Sequence, residues 1–533
     1  METAGLHGYI TAMLKTTGLF LILACSSTFG AEFDHPGAFP GLRESTQLID
    51  VARDVMNEYV NHRIAASKYR IPQHLDNLPR ASAIAMTIRV DGRSERVVLT
   101  GGDLVRRVIE AALKVMRSPI LGDIVTPERL QECTIELEIA SEQKSVITND
   151  IVKSYIPGVT GVRVSRGRDD SYVLPSVACI EDLDAQGAMK LALSQLPRRD
   201  TQLPLRWTMF TTSHCVGFPD GEAVQLYRGK LLAAKELVRA KDMASAAREV
   251  GDFLVASLDS SGRFFIRGQD GEYNINHHLY TVYALAKLAK VTGDSRYLNA
   301  ANLALSYVAR LVRADGAAAF VNSSDRMSAT AMIVLAIDKI GSARENSSLD
   351  SVEKDLRAKM LTFLNRGGEK VSAWAVAAAG MIDLSPTWDE TASNLDEVQL
   401  AFMIRSGAYE TQVRQDKSDS VLSVVENTAL ADEQGGFAFH GQTPITAATA
   451  MVAVALSQGR ESPALGVSPH SPQCAKVIYD AQRFCYLMMY KPRENYYARG
   501  LTDLLGGVRV DPTSGRISLL SCAAAIEAFL IKP

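Results

Sequence analysis

The chain has 533 residues, too many for one ordinary core, so two or three domains are expected. Hydrophobic residues make up 47% and charged residues 22%, which places the chain among globular proteins and excludes disordered and fibrous classes. A net charge of -3, with no run of Lys and Arg, gives no electrostatic basis for a nucleic-acid partner.

Lys15 precedes a short apolar run, Gly18 to Ala24, followed by Cys25, Ser26, Ser27 and Thr28. A positive flank, an apolar stretch well short of ~20 residues and then small residues describe a secretory signal rather than a membrane span. Met13-Leu-Lys15 is the more usual start of such a leader. Two processing readings stay open. Thr28-Phe-Gly30 before Ala31 is a small-x-small cleavage site, whereas Ile22-Leu-Ala-Cys25 resembles a lipoprotein box in which Cys25 becomes the lipidated first residue. Residues 1–31 are therefore expected to be a signal peptide or lipoprotein signal. The mature protein is expected in the periplasm or cell envelope, touching a membrane only through such an anchor.

Residues 41–229 mix strands with helices. Helical periodicity runs through Leu48, Val51, Val55 and Tyr59, and again through Leu104, Val108, Ala111, Ala112 and Val115. Strand-like runs are Ala83–Val90, Arg96–Thr100, Cys133–Ile139, Gly161–Ser165 and Leu205–Thr211. In the third of these Ile135, Leu137 and Ile139 alternate with Glu136 and Glu138, the period of a strand with one wet face. An α+β domain is expected. Met116-Arg-Ser-Pro-Ile120, Pro127-Glu-Arg-Leu130, Thr134 to Ala140, Gly158-Val-Thr-Gly-Val-Arg-Val164 and Tyr172-Val-Leu-Pro-Ser-Val-Ala178 follow one another as in AMMECR-type domains, which this region resembles. That family's Leu-Arg-Gly-Cys-Ile-Gly segment is replaced here by the stretch from Arg93 to Gly102. The resemblance implies the fold without that segment's site.

Residues 231–533 lose the strand signals and gain Ala and Leu. Leu298, Ala301, Leu305, Val308 and Val312 form a helical stripe that Asp294 can cap, and the preceding run from Leu279 to Val291 is apolar almost all round. An amphipathic helix beside a wholly apolar one implies outer and inner layers. Gly-x-Phe turns recur at Gly262-Arg-Phe264, Gly316 to Phe320 and Gly436-Phe437. Phe264 and Phe320 stand 56 residues apart, and the region holds five to six such units. Helical hairpins of this kind must stack, and closing on themselves they make an α/α toroid, with an open solenoid as the alternative. The region resembles the toroids shared by six-hairpin glycosidases, polysaccharide lyases, sugar epimerases and terpenoid-cyclase-like or prenyl enzymes. Gly435-Gly-Phe-Ala-Phe439 followed by Thr446-Ala-Ala-Thr-Ala450 is similar to the repeat of the last group. The expected whole is an α+β N-terminal domain followed by an all-α C-terminal toroid.

The densest polar cluster runs from Asp270 through Glu272, Tyr273, Asn274 and His277 to His278, at the start of the most apolar helix. It resembles the Tyr-Asn-Ile-x-Arg-His opening of an inner helix in bacterial toroid proteins, with His277 in place of Arg. In a toroid inner-helix ends ring the cavity where a ligand sits. Asp270 or Glu272 could then be a general acid and His278 a base, with Tyr273, Asn274 and His277 binding substrate. The alternative is a capped helix start whose polar residues satisfy free N–H groups. The closing segment, Tyr496-Tyr497, Leu504 to Arg509 and Ser518 to Leu530, also resembles that group. Its relatives carry Gln-His where this chain has Ser521-Cys522, which implies an impaired site if that pair is catalytic.

No metal motif, G-x-G-x-x-G, P-loop or G-x-S-x-G elbow is present, so neither metal nor cofactor is expected. There is no Cys-x-x-Cys. Cys474 and Cys485 on one helix would stand ~16 Å apart, too far for a disulfide, while a bridge involving Cys522 stays open. Three functions remain at this level: a carbohydrate-active toroid (hydrolase, lyase or epimerase), a non-catalytic envelope binding or scaffold protein, and isoprenoid chemistry. The partner expected is a glycan or other small molecule, and no feature fixes an oligomeric state.

Overall fold

The computed structural model describes residues 41–63, 80–121, 126–140, 144–197, 202–229, 240–266, 273–344, 348–366, 372–382, 443–459, 472–497 and 501–532, with a few single residues and short pieces between them. The leader and Cys25 lie outside the described residues. No helix among the described residues is long and apolar enough to cross a membrane. The chain divides into two compact units. One runs to Gln143 and takes in Gly217–Ala223, and the other comprises Lys144–Val216 and Val224–Pro533.

In the first unit α1 (Leu42–His62) packs against α2 (Leu104–Met116), which lies on a sheet with β1 (Ala83–Val90) at its centre. β2 (Arg93–Thr100) and β3 (Thr134–Ala140) flank β1, both antiparallel. Asp91 and Gly92 join β1 to β2 with both φ angles positive, 50° and 71°, as a tight hairpin whose twist matches its strands requires. The side chain of Asp103 caps α2 by accepting the Arg106 N–H at 3.0 Å. The Arg53 guanidinium on α1 donates to the carbonyls of Gly217 and Phe218, at 3.1 and 2.7 Å, and so holds the returning segment.

The wet face expected on β3 does not exist. Glu136 and Glu138 are 2% and 1% exposed. Arg89 on β1 pairs with Glu136, and Arg96 on β2 pairs with Glu138 at 2.9 Å. These residues share one sheet face, so the burial of two carboxylates is offset by arginines from neighbouring strands. Alternation alone cannot tell a solvated face from a charge-paired one.

The second unit opens with its own antiparallel strands. β7 (Arg206–Gly217) runs between β4 (Lys144–Val146) and β5 (Thr160–Arg166), and β5 forms a hairpin with β6 (Asp169–Val173). Helices α3 (Thr148–Ser154) and α4 (Ala185–Gln195) lie over a core of Ile151, Tyr155, Val162, Val164, Trp207 and Met209. A short hairpin, β8 (Ala223–Tyr227) with β9 (Leu231–Leu232), precedes the helices.

The remainder is helical and two-layered. Helices α6 (Ile275–Thr292), α8 (Arg326–Ala343), α10 (Ala373–Met381), α11 (Thr446–Gly459) and α13 (Leu519–Phe529) form the inner layer. Each packs on the next in the order α11, α13, α6, α8, α10. Outside them lie α5 (Ala240–Ala256), α7 (Ser295–Ala309), α9 (Ser351–Arg366) and α12 (Pro472–Leu487). Sequence explains the layering. α8 buries every residue from Met327 to Ile337, whereas α7 buries only the stripe of Tyr297, Ala300, Ala301, Ala304 and Val308. Asp294 caps α7, its side chain accepting the Arg296 N–H at 2.9 Å. Two short ribbons, β10 (Val312–Asp315) with β11 (Ala318–Val321) and β12 (Leu430–Ala431) with β13 (Phe437–Ala438), occupy the turns where strand signals were not expected.

The last helix, α13, packs against α5 and α6, the first helical pair. An open solenoid would keep first and last repeats apart. The join is reinforced by a buried carboxylate: Glu527 on α13 accepts from the Tyr280 hydroxyl and, at 3.0 Å, from the Lys287 ammonium, both on α6.

Glycines set the distance between turns and outer helices. Gly262, Gly435 and Gly506 have φ of 84°, 93° and 81°, and a Cβ on each would meet the carbonyl oxygen of Leu303, Asp480 or Glu249 at 2.2, 2.2 or 2.4 Å. Those carbonyls belong to α7, α12 and α5, so each turn rests on a neighbouring outer helix, and the last turn rests on the first. Gly293, after α6, has a φ of 70° but nothing within 4 Å. Gly506→Ala should therefore lower stability by several times the ~1 kcal/mol expected for Gly293→Ala, which suffers the backbone strain alone. Urea unfolding of the two variants measures this, and equal losses would mean that the turn does not press on α5.

Candidate functional site

Four hairpin turns among the described residues carry a backbone N–H that no strand or helix satisfies, and a side chain in the first turns of the next inner helix, or just before it, takes it. The Val321 N–H donates to Thr330 Oγ1 at 3.0 Å, and the Phe437 N–H to Thr449 Oγ1 at 2.9 Å. The Val508 N–H meets Cys522 Sγ at 3.4 Å. In the first hairpin the Phe264 N–H donates to the Tyr273 oxygen at 3.2 Å, and the Tyr273 hydroxyl in turn meets His278 Nδ1 at 2.5 Å. His278, Thr449 and Cys522 are all fourth residues of their helices, and Thr330 is the fifth.

This fixes the state of His278. Its Nε2 lies 2.9 Å from the Ala304 carbonyl, which can only accept, so the proton sits on Nε2 and Nδ1 accepts from Tyr273. The ring is fully buried among Phe264, Tyr273 and Tyr307. Burial pushes its pKa down to about 4 despite the favourable carbonyl contact. Both nitrogens are committed. Asn274 caps α6, its Oδ1 accepting the N–H groups of Asn276 and His277 at 2.9 and 3.1 Å. Tyr273 is half-buried with the Arg263 guanidinium 4.4 Å over its ring, and burial pushes its phenol pKa up. Asp270 and Glu272 lie outside the described residues.

A second set of polar groups stands at the starts of the inner helices, apart from the turn anchors. His277 on α6 packs its ring 5.7 Å from that of Trp374 on α10. Between them in sequence, Asp325 caps α8. Its Oδ1 accepts the Ser328 N–H at 3.0 Å, and its Oδ2 accepts the hydroxyls of Ser328 and Ser372 at 2.5 and 2.7 Å. Ser328 and Ser372 also meet each other at 2.5 Å. Three inner-helix starts, α6, α8 and α10, are thereby tied into one polar cluster. The carboxylate sits at the positive end of α8, where the helix dipole favours it. Two further oxygens at inner-helix starts, Asn276 Oδ1 on α6 and Thr446 Oγ1 on α11, are buried with no hydrogen-bond partner among the described residues. Unsatisfied buried polar atoms are rare in folded proteins, and water, an ion or a ligand can supply the missing partner.

Of the residues singled out from the sequence, Tyr273 and His278 come together as a turn anchor, and Asn274 is a cap. His277 alone reaches the inter-helix cluster. Asp325, Ser328, Ser372 and Trp374 were not anticipated, because no motif links three helix starts that lie at Ile275, Arg326 and Ala373. The tail reads differently too: Cys522 occupies the same slot as His278 and holds a turn, its thiol pKa pushed up to about 12 by burial. It forms no disulfide. Among the described residues no three His, Cys, Asp or Glu side chains converge as metal ligands.

No family model and no curated protein matches the chain. Solved structures give faint likenesses. A family 76 glycoside hydrolase from a bovine Bacteroides thetaiotaomicron strain aligns with 74% of this chain and 95% of its own, at 8% identity and a TM-score of 0.37. The GH76A alpha-1,6-mannanase from Salegentibacter sp. HEL1_6 covers 54% of this chain and 98% of its own, at 11% identity and a TM-score of 0.36. An uncharacterised protein from Pyrococcus horikoshii covers 34% of this chain and 95% of its own, at 14% identity and a TM-score of 0.27. With scores this low, the reading of this chain rests on its own residues.

The buried imidazole predicts a pH dependence. Its folded pKa of about 4 lies below the ordinary 6.5, so the folded state resists protonation. The stabilisation is complete above about pH 6.5 and is lost as pH falls towards 4, an effect of roughly 3 kcal/mol. The difference in unfolding free energy between wild type and His278→Asn should shrink by about that amount between ~pH 7 and ~pH 4. A pH-independent difference would show that His278 is not held neutral.

Proposed function

We propose that the helical part is an α/α toroid that binds a glycan at the starts of its inner helices. The observation that carries this reading is the density of hydrogen-bonding groups there. Asp325, Ser328 and Ser372 form one network, and the Asn276 and Thr446 oxygens at other inner-helix starts lack partners among the described residues. A sugar presents several hydroxyls at once, and such a rim offers acceptors and donors to match them. The same residues favour binding over catalysis. Asp325 already accepts three hydrogen bonds and His278 has both nitrogens engaged, so neither is poised to move a proton. In a hydrolase, lyase or epimerase, the general acid falls to Asp270 or Glu272, with His278 holding Tyr273 in place.

A glycan array probed with the purified chain, followed by calorimetry on the best glycan, tests the proposal. Asp325→Asn is the informative variant, because Asn caps a helix nearly as well as Asp. It should keep the melting temperature within a few degrees and weaken glycan binding about tenfold or more, the cost of a charged hydrogen bond. Unchanged affinity in this variant would remove the inner-helix starts from the binding site.

Residues 41–229 as an AMMECR-like domain, a boundary near Arg228 to Leu231, and export through residues 13–31 belong to the same proposal and are supported by the sequence motifs alone. Metabolic labelling with a fatty acid decides the processing route. Label lost on Cys25→Ser means lipidation. No label in the wild type, with a mature chain starting at Ala31, means simple cleavage.

A further inference from the structure

A cavity of about 520 Å³ opens in the second unit, beside the start of α11, and is large enough for a small-molecule ligand. Two distant stretches line it. Tyr155, Asp184 and Gln186 come from the segments around α3 and α4, and Thr443, Asp511 and Thr513 come from the turns before α11 and α13.

Tyr155 is the informative residue. It is 5% exposed and packed in the core beneath α3 and α4, yet its hydroxyl has no hydrogen-bond partner among the described residues. Buried tyrosines normally find one. Burial also pushes its pKa up, so the phenol stays a proton donor at neutral pH. The two aspartates are held by backbone groups. Asp184 Oδ1 accepts the Gly187 N–H at 2.7 Å, and Asp511 Oδ1 accepts the N–H groups of Thr513 and Ser514, both at 2.8 Å, and the Thr513 hydroxyl at 2.7 Å. Among the described residues no Lys or Arg lines the cavity. Two fixed carboxylates without a countercharge make a negative recess that attracts cations and repels anions. Hydroxyl and amide groups between them suit a hydroxylated body.

We propose that this cavity is a binding site for a hydroxylated ligand carrying a protonated amine, of the amino-sugar class, with the amine directed to Asp184 and Asp511 and Tyr155 donating to a ligand oxygen. This site is independent of the glycan reading above, because it shares no residue with the inner-helix cluster.

The test is ligand-observed NMR and calorimetry on the whole chain with three probes of one shape: glucosamine, glucose and glucuronate. Glucosamine should bind about tenfold or more tighter than glucose, and glucuronate not at all. Tyr155→Phe should weaken glucosamine binding severalfold while leaving the melting temperature unchanged or higher, because it deletes an unsatisfied buried hydroxyl. Asp511→Asn keeps an oxygen for the turn and should erase the preference for the amine; Asp184→Asn, which keeps the cap of α4, serves the same purpose if that variant folds poorly. Equal binding of glucose and glucosamine, absence of glucosamine binding, or full affinity in Tyr155→Phe would each overturn the assignment.

Discussion

The helical part depends on one recurring hydrogen bond, from the backbone N–H of a hairpin turn to a side chain in the first turns of the inner helix that follows. A turn packed against an outer helix cannot hand that N–H to water, and a buried donor left alone costs more than most single contacts return. Among the described residues the chain solves this four times with three chemistries: a tyrosine backed by histidine, two threonines and a thiol. Geometry is conserved between the copies while residue identity is not. The slot therefore asks only for an acceptor of the right reach, and its occupants are structural even when, like histidine, they look like reagents.

That division of labour orders the inner-helix starts. The fourth or fifth residue faces the turn and is spent on it. The second and third, among them Asn276, His277, Ser328 and Trp374, are left to meet neighbouring helices and whatever occupies the mouth. Asp325 serves both sides, capping α8 while receiving the hydroxyl of Ser372 from α10. A carboxylate held by three donors is rigid and keeps acceptor capacity for one more.

Local chemistry was legible in the sequence and long-range chemistry was not. The cap Asp294, the apolar inner helix and the Gly-x-Phe turns could be read directly, because each is written within a few residues. The fourth turn was not recognised as a copy, since Val508 stands where the pattern has Phe, and the equivalence of Cys522 with His278 exists only once that turn is placed. The charged face of β3 misled because its arginines come from other strands, 40 or more residues away. The cluster of Ser328, Ser372 and Trp374, and the cavity around Tyr155, require the fold to bring them together.

The pairing of Glu527 with Lys287 and Tyr280 spans 240 and 247 residues. Such a contact makes completion of the helical part a late event. While the chain is being made, α6 can pack on α7 and α8, but the flank meant for α13 stays bare until the final helix has emerged. An incomplete chain therefore presents an apolar strip and an unpaired lysine, and it cannot reach its final compactness by adding repeats one at a time. Loss of α13 would leave the first helical hairpin unsealed, so one helix, made some 240 residues later, completes the packing of the other.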